Sequence, residues 1–271
     1  MKKTFYGYEL DLGDEPFVDD MPTGADVAAV RIAATTLADG GTFVDVGAHV
    51  GTLCVPVAKA RPKARVFAFE PVPRNFDLLR ANAARHDCEN LVMEPFAVGD
   101  ACTTARLALA DTNSQDARLV PPTGCALVQA FGESARVTHC VPGVSLEAYF
   151  KDEPLQPPVV VKIDVQGAEV QVLRGMRRLP VAVALIEVWP YGILRQGETC
   201  SSLVRELSRW SHGALLHGWL AQPFERGHIA FTEALPWDAA SAGRYADYLD
   251  VACCSPEVAA NATQVRPGEA R

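Results

Sequence analysis

Residues 42–52 read Thr-Phe-Val-Asp-Val-Gly-Ala-His-Val-Gly-Thr, a short apolar run that passes directly into a loop with glycines at positions 47 and 51. The run from Thr42 to Val46 has the length and the β-branched content of a buried strand. Glycines allow a sharp turn from a strand into a helix and let a ligand approach the backbone closely. This stretch predicts a strand, a loop and a helix in the arrangement that nucleotide-binding α/β sheets use.

Further apolar runs of strand length follow along the chain, at 65–69, 91–96, 159–163 and 181–188. Most of them are separated by segments with helical periodicity, such as 74–86 and 168–176. Strands that are apolar throughout and that alternate with helices indicate a parallel sheet covered on both faces. We therefore predict an α/β domain that spans residues 42–254.

The segments outside this pattern have other compositions. Residues 1–41 are expected to form a strand and helix extension that packs on the core, with the helix running from a capping box at 23–26 to about Ala38. Residues 100–150 are polar and rich in Pro and Gly, with alternating stretches at 104–109 and 136–141. This composition predicts a β-rich insertion that shapes the site in which a substrate would bind. Residues 255–271 lack an apolar period and are predicted to be a disordered tail.

The chain near its C-terminus carries one more helical pattern and two strand patterns. An amphipathic helix is predicted over 198–212 with Gly213 as its C-cap, and strands are predicted over 214–219 and 248–254.

Composition excludes several classes of protein. The formal net charge is −8 and the basic residues are scattered, so a nucleic-acid partner is not expected. The longest apolar run, 179–190, is far shorter than the roughly 20 residues of a membrane span, and no signal peptide is evident at the N-terminus. The eight cysteines form no CxxC pair, which favours a reduced, cytoplasmic protein and argues against a metal site.

Two acidic residues follow predicted strands and are candidates for the same site as the glycine loop. Glu70 lies roughly 20 residues after Gly47, the spacing at which a carboxylate can bind the ribose hydroxyls of a nucleotide, although a solvated acid fits the sequence equally well. Asp164 follows the strand at 159–163, where an acid often caps the next helix. In a parallel sheet, both carboxylates and the loop lie at one edge.

The loop also bears on the kind of nucleotide. A dinucleotide site needs a glycine at the position of His49, so that the pyrophosphate can approach the backbone. This disfavours NAD(P), but an NAD(P)-linked oxidoreductase on the same scaffold stays open as an alternative, because a fold alone does not decide function.

Several motifs, taken in order, resemble the FkbM family of S-adenosylmethionine-dependent, class I methyltransferases. They are FVDVGAHVGT (43–52), FAFEPVPRNF (67–76), AVGD (97–100), VSLEAYF (144–150), VKIDVQGAEVQVLRGM (161–176) and IEVWP (186–190). The resemblance implies a Rossmann-like class I methyltransferase fold, with a mostly parallel seven-stranded sheet, helices on both faces and a β-rich insertion. It also implies S-adenosylmethionine as the cofactor.

The resemblance further implies two sets of site residues, transferred residue by residue. The cofactor set is Asp45, Gly47, Ala48, His49, Gly51, Thr52, Glu70, Pro71, Ala97, Val98, Asp100 and Asp164. The catalytic set is Asp164, Glu187 and Lys162, with Glu169 in a supporting position. Gln166 stands where the family usually has Glu, and the loss of that charge argues against a metal site or a carboxylate network at this turn.

Methyl transfer from a sulfonium needs alignment of the reactants, and a hydroxyl acceptor also needs a general base. With Asp164 as that base, we expect O-methylation of a hydroxyl on a small molecule, a sugar or a natural product, with N- or C-methylation as alternatives. A small-molecule acceptor is the expected partner, and a homodimer is an open alternative to a single chain.

Overall fold

The computed structural model describes residues 1–13, 24–110, 116–122, 136–210, 212–217, 220–225 and 249–254. In chain order, the elements are β1 (Lys2–Phe5), β2 (Tyr8–Asp11), α1 (Gly24–Thr36), β3 (Gly41–Val46), α2 (Cys54–Ala60), β4 (Ala64–Phe69), α3 (Pro73–Arg85), β5 (Leu91–Glu94), β6 (Ala97–Gly99), β7 (Thr103–Leu109), β8 (Arg118–Leu119), β9 (Val137–Ser145), α4 (Leu146–Tyr149), β10 (Val159–Ile163), α5 (Glu169–Arg174), β11 (Val181–Val188), α6 (Pro190–Arg195), α7 (Cys200–Leu207), β12 (His212–His217), β13 (Leu220–Glu225) and β14 (Leu249–Cys254).

Within the described residues the central sheet is mixed and has eight strands. The prediction of a mostly parallel seven-stranded sheet was therefore wrong in its strand count, and it did not include the antiparallel pairing. Five strands are parallel, in the order β11-β10-β3-β4-β5. Three antiparallel strands extend the sheet beyond β11, in the order β14-β12-β13. The sequence of β13 has no apolar alternation and contains Pro223, which is tolerated because β13 is an edge strand.

Helices cover both faces of the sheet, as the apolar strands predicted. Phe43 and Val66 belong to a buried cluster with residues of α1, α2 and α3. The next residues along the same strands, Val44 and Phe67, belong to a second cluster with residues of α4, α5, α6 and α7. Successive strand residues point to opposite faces, so both faces need an apolar cover, and this is why the strands are apolar throughout.

The direction in which successive strands are added reverses at β3. Strands β4 and β5 lie on one side of it, and β10 and β11 lie on the other. Loops that leave the carboxyl ends of β3 and β10 therefore meet at a switch point, where ligands bind in open α/β sheets. Gly47 has φ +79°, and a Cβ on it would lie 1.8 Å from the carbonyl oxygen of Asp164. Only glycine permits this approach.

In the described part of the predicted insertion, three strands join β6, which precedes the insertion, in a second sheet with the order β6-β9-β7-β8. The pairing of β7 with β9 is antiparallel and matches the two alternating stretches of the sequence. This sheet is fixed to α6, because Gln196 Nε2 donates a hydrogen bond to the carbonyl oxygen of Leu119 at 2.9 Å. The guanidinium of Arg118 also lies 4.7 Å from the centre of the Trp189 ring.

The helix predicted over 198–212 is shorter in the structure. It is α7, and it begins at a capping box formed by Thr199 and Ser202 and ends with Ser208 as its C-cap. Gly213 is in β12, so its prediction as a C-cap was wrong. The apolar helical period of α7 ends before the strand begins, and the sequence alone does not mark that boundary.

The N-terminal hairpin of β1 and β2 is attached to α3 through Asn82, a fully buried side chain. Asn82 accepts a hydrogen bond from the amide of Asp11 at 2.7 Å, and it donates to the carbonyl oxygens of Asp11 and Val50 at 2.9 Å. Asn82 thus connects the hairpin, α3 and the glycine loop.

The predicted tail, 255–271, lies outside the described residues. Among the helices of the described ranges, none has the length and apolar character to cross a bilayer.

We predict that Gly47→Ala lowers the free energy of unfolding by roughly 2–4 kcal/mol more than Gly7→Ala does. Gly7 also has a positive φ, of +87°, but a Cβ there meets nothing within 4 Å, so Gly7→Ala measures the backbone cost alone. Urea unfolding of both variants checks the difference. Equal losses in the two variants would contradict the steric role of Gly47.

Candidate active site

A cleft with about 960 Å³ of atom-free space, part of it open to solvent, lies at the carboxyl ends of the parallel strands. Ten of the predicted site residues line it: Gly47, His49, Thr52, Glu70, Pro71, Ala97, Val98, Lys162, Asp164 and Glu187. The structure thus brings both signatures of the sequence to one cleft.

Four predicted cofactor residues do not line the cleft. Asp45, Ala48 and Gly51 are buried beneath its wall. Asp100 is exposed at the turn after β6, and its charge acts on Arg174. The resemblance placed Asp100 near the adenine, but in the structure this side chain is not part of the cleft.

The amides of the glycine loop are used within the protein. The N–H groups of Gly47 and Ala48 both donate to the carbonyl oxygen of Phe69 at 3.0 Å, and the N–H of His49 donates to Glu70 Oε2 at 2.8 Å. The loop is therefore attached to the end of β4. A phosphate-binding loop instead presents such amides to the ligand.

Glu70 is buried and holds the loop and the start of α3 together. Besides the His49 amide, its carboxylate accepts hydrogen bonds from the amide of Val72 at 2.9 Å and from Asn75 Nδ2 at 3.4 Å. Burial raises the pKa of Glu70 to about 7, although these donors favour the ionised form. Glu70 Oε2 accepts one of these bonds, so it retains a lone pair for a ligand hydroxyl.

Asp45 is buried between the loop and Lys162. Its Oδ2 accepts a hydrogen bond from the amide of Cys54, the first residue of α2, at 3.1 Å. Its Oδ1 lies 3.8 Å from Lys162 Nζ and has no hydrogen-bond partner among the described residues. Burial raises the pKa of Asp45, and the charge of Lys162 opposes that shift.

Lys162 is the cation of the site, and it lies directly against Asp164. Its Nζ donates to Asp164 Oδ2 at 3.1 Å and to the carbonyl oxygen of Gly47 at 3.4 Å. Burial alone would lower the pKa of Lys162, but the carboxylates of Asp164 and Asp45 outweigh it, and the pKa is raised. Lys162 therefore stays charged and stabilises the charge of Asp164 through an ion pair.

Gln166 connects the two predicted catalytic carboxylates. Its Nε2 donates to Asp164 Oδ1 at 2.9 Å and lies 3.3 Å from Glu187 Oε1, which accepts its second hydrogen bond. The residue has φ +54°, which directs its side chain back over the turn. The absence of a Glu at position 166 therefore does not separate the two acids, because the amide of Gln166 joins them.

Glu169 supports the same turn from within the protein. Its Oε1 accepts a hydrogen bond from the amide of Gly167 at 2.9 Å, and its Oε2 is buried with no hydrogen-bond partner in the described part of the chain. A Cβ on Gly167 would lie 2.5 Å from the carbonyl carbon of Gly192, so the turn packs directly against α6. Burial raises the pKa of Glu169 to about 7.

Sequence reasoning missed two acids near the site. Asp250 is paired in register with Glu187 across β14 and β11, and Asp26 of α1 lines the cleft. Burial, followed by the charges of Asp164, Asp250 and Glu169, raises the pKa of Glu187 well above its ordinary value. Burial, followed in size by the charge of Asp164, raises the pKa of Asp250 to about 7. Asp26 was assigned only to the capping box of α1 and Asp250 to no motif, so only the fold reveals that they lie near the site.

The cleft has an excess of negative groups. Its lining includes the carboxyl groups of Asp26, Glu70, Asp164 and Glu187, whereas Lys162 is the only lysine or arginine among the described residues that line it. Burial lowers the pKa of His49 to about 4, so its ring is neutral at pH 7. Within the described ranges, no group of three or more His, Cys, Asp or Glu is placed to hold a metal ion.

A mixed sheet with a glycine loop and acidic residues at its switch point is an α/β domain with the arrangement in which open sheets bind ligands. The chain belongs to the FkbM family of methyltransferases, since residues 45–193 match the family described as "Methyltransferase FkbM domain". The resemblance inferred from the motifs is thereby confirmed.

Individual relatives are distant. The methyltransferase sdnD of Sordaria araneosa is 26% identical over 198 residues, which are 62% of this chain and 76% of the relative. The hexuronic acid methyltransferase AglP of Haloferax volcanii is 28% identical over 148 residues, which are 54% of each chain. Among solved structures, the O-methyltransferase from Bacillus cereus in complex with SAH has a TM-score of 0.45 at 11% identity, covering 84% of this chain and 81% of that one.

We predict that Glu169→Gln removes part of the pH dependence of stability. The pKa of Glu169 is about 7 in the folded protein against 4.5 ordinarily, so the folded state keeps a proton that the unfolded state loses. The contribution of this group to stability therefore falls as pH rises from about 4.5 to 7 and is constant above that. Glutamine cannot ionise, and its carbonyl can still accept from Gly167.

Urea unfolding at pH 5, 6, 7 and 8 checks this expectation. The stability of Glu169→Gln relative to the parent chain should increase with pH, by at most about 3 kcal/mol over the window. Identical pH slopes for the two proteins would show that Glu169 is ionised in the folded state.

Proposed function

We propose that this methyltransferase uses S-adenosylmethionine to methylate a hydroxyl group of a small molecule, a sugar or a natural product. The observation that carries the proposal is the carboxylate-rich cleft of a chain that belongs to the FkbM family. S-adenosylmethionine has a positive sulfonium and a positive ammonium near its reacting end, and a negative cleft complements both.

The same observations disfavour NAD and NADP. Their pyrophosphate is negative and needs close backbone approach, but His49 stands where the middle glycine would be. The amides of Gly47, Ala48 and His49 are already bonded to β4 and Glu70. These three amides are therefore not available to bind a phosphate.

The residues present fit the cofactor. Glu70 would bind the ribose hydroxyls through the free lone pair of Oε2, and Pro71, Ala97 and Val98 would lie beside the adenine. Asp45, beneath the loop, would help to hold the methionine end of the cofactor. Its Oδ1 is buried and has no hydrogen-bond partner in the described residues. Ala48 and Gly51 would shape the loop, and His49 and Thr52 would line the cleft.

Asp164 is the general base in this proposal. When bound, the cofactor supplies a methyl group on a sulfonium whose leaving group is a neutral thioether. As the acceptor oxygen takes up that methyl group, its hydroxyl proton would pass to a carboxylate oxygen of Asp164. Lys162 Nζ, 3.1 Å from Asp164 Oδ2, would orient the carboxylate for this transfer.

Glu187 is suited to a different part in the same reaction. Burial, and then the charges of the acids around it, raise its pKa well above the ordinary value, which favours the protonated form of the carboxyl group. It would instead orient Asp164 through the shared amide of Gln166. The base and its neighbour are thereby distinguished by environment, in the way that paired carboxyl groups are in other enzymes.

The acceptor is expected to carry hydroxyl groups and some apolar surface. Phe96, Leu107, Ala117 and Leu119 form an apolar part of the cleft wall, and the last three belong to the insertion. A relative with 28% identity is named for hexuronic acids, which are hydroxylated. Hydroxylated sugars and uronic acids are therefore the first acceptors to test, with amines as the comparison.

We predict that S-adenosylmethionine and S-adenosylhomocysteine raise the melting temperature, whereas NAD and NADP do not, because a ligand that binds only the folded state stabilises it. A thermal-shift series with the four compounds checks this. Stabilisation by the nicotinamide cofactors alone would overturn the proposal in favour of an oxidoreductase.

We predict that Asp164→Asn lowers methyl transfer by about 10²–10⁴-fold, the usual contribution of a general base. Affinity for the cofactor should change far less. Transfer of a labelled methyl group to the acceptor panel measures the first quantity, and calorimetry measures the second. Asp152→Asn is the matched control, because Asp152 is exposed in the segment before β10, at the opposite end of the sheet. Full activity of Asp164→Asn would remove Asp164 from the role of base.

A further inference from the structure

Gln166 places an uncharged group at the centre of the acidic cleft. It lines the cleft together with Asp164 and Glu187, and its Nε2 donates hydrogen bonds to both carboxyl groups, at 2.9 and 3.3 Å. An amide nitrogen has two hydrogens, so both are used. The group can offer a bound ligand only its carbonyl oxygen.

The charges around this amide come from every neighbouring element. Lys162 and Asp164 belong to β10 and its end, Glu187 to β11, Asp250 to β14, Glu169 to α5 and Asp26 to α1. Among these described groups the ammonium of Lys162 is the single cation, and it is hydrogen-bonded to Asp164 and lies 3.8 Å from Asp45 Oδ1. A further charge at position 166 would lie between Asp164 and Glu187, where it would change the local potential most.

We infer that Gln166 sets how strongly the cleft distinguishes the cationic cofactor S-adenosylmethionine from its neutral product S-adenosylhomocysteine. The inference rests on the proposed function. The two ligands differ by one methyl group and one positive charge on sulfur and share every other group. The ratio of their dissociation constants thus reports the potential at the sulfur, which the proposal places beside Asp164.

A neutral amide here serves two purposes. It joins the two carboxyl groups by hydrogen bonds from its Nε2, and it adds no charge to the cleft. The remaining negative potential favours the sulfonium over the thioether, so the product binds more weakly than the cofactor. Position 166 therefore sets a balance between cofactor preference and product release.

The test is a charge series at one position, read by calorimetry at pH 8 with S-adenosylmethionine and S-adenosylhomocysteine as probes. Gln166→Glu should raise the preference for the cation roughly 3–10-fold, as expected for one added charge at short, partly screened range. Gln166→Lys should lower the preference by a similar factor. Gln166→Met, which removes the amide without adding a charge, should leave the preference within about 2-fold of the parent value.

The backbone conformation at position 166 has the same effect on all of these variants. Position 166 has φ +54°, and Glu, Lys and Met all carry a Cβ with the same unbranched start as Gln, so they meet the same backbone cost. Gln156→Glu is the matched control. It makes the same change of charge at an exposed residue before β10, at the opposite end of the sheet, and should not alter the preference.

The outcomes separate the two proposals. If the parent chain binds neither probe, the proposed function fails and this inference fails with it. If it binds both, and the Glu and Lys variants leave the ratio unchanged, only the inference is overturned. An equal rise in Gln166→Met and Gln166→Glu would also overturn it, because the lost amide and not the charge would then be the cause. Should one charged variant fail to fold, the other still decides.

Discussion

The contact between Gly47 and the backbone of Asp164 is the constraint on which the rest of the site depends. A Cβ at position 47 would lie 1.8 Å from the Asp164 carbonyl oxygen, so two loops from β3 and β10 can meet only through a glycine. Since β3 and β10 are paired in register from Val159 with Thr42 to Ile163 with Val46, their carboxyl ends finish side by side. The side chains that follow the strands are thereby brought to one point.

This convergence explains why the site has so many buried carboxyl groups around one ammonium. Lys162 and Asp45 are direct neighbours across β10 and β3, and Glu187 and Asp250 are direct neighbours across β11 and β14. Burying an ionised group costs several kcal/mol unless it is paired. The protein meets this cost by an ion pair at Asp164 and by raised pKa values at Glu70, Glu169 and Asp250. Such perturbed groups concentrate at functional sites.

The sequence predicted the parts of the fold that depend on local patterns. The apolar periodicity of the sequence predicted the parallel strands, the helices on both faces and the paired strands of the insertion. The ends of the predicted strands gave the positions of Gly47, Glu70 and Asp164. The eighth strand was not predictable, because β13 has no apolar alternation and depends on pairing with β12. Asp100 was placed in the site by motif alone, and the turn after β6 directs it outward.

The missed residues share a physical cause. Asp26 and Asp250 reach the site from α1 and β14, which are distant in sequence from the loop and are positioned only by tertiary packing. Both also lie outside residues 45–193, the segment that matches the family. The part of the site that the family determines is the half around the glycine loop, Glu70 and Asp164. The half formed by α1 and β14 lies outside that segment, so neither a local motif nor the family match gives its position, and only the packing of these two elements on the sheet does.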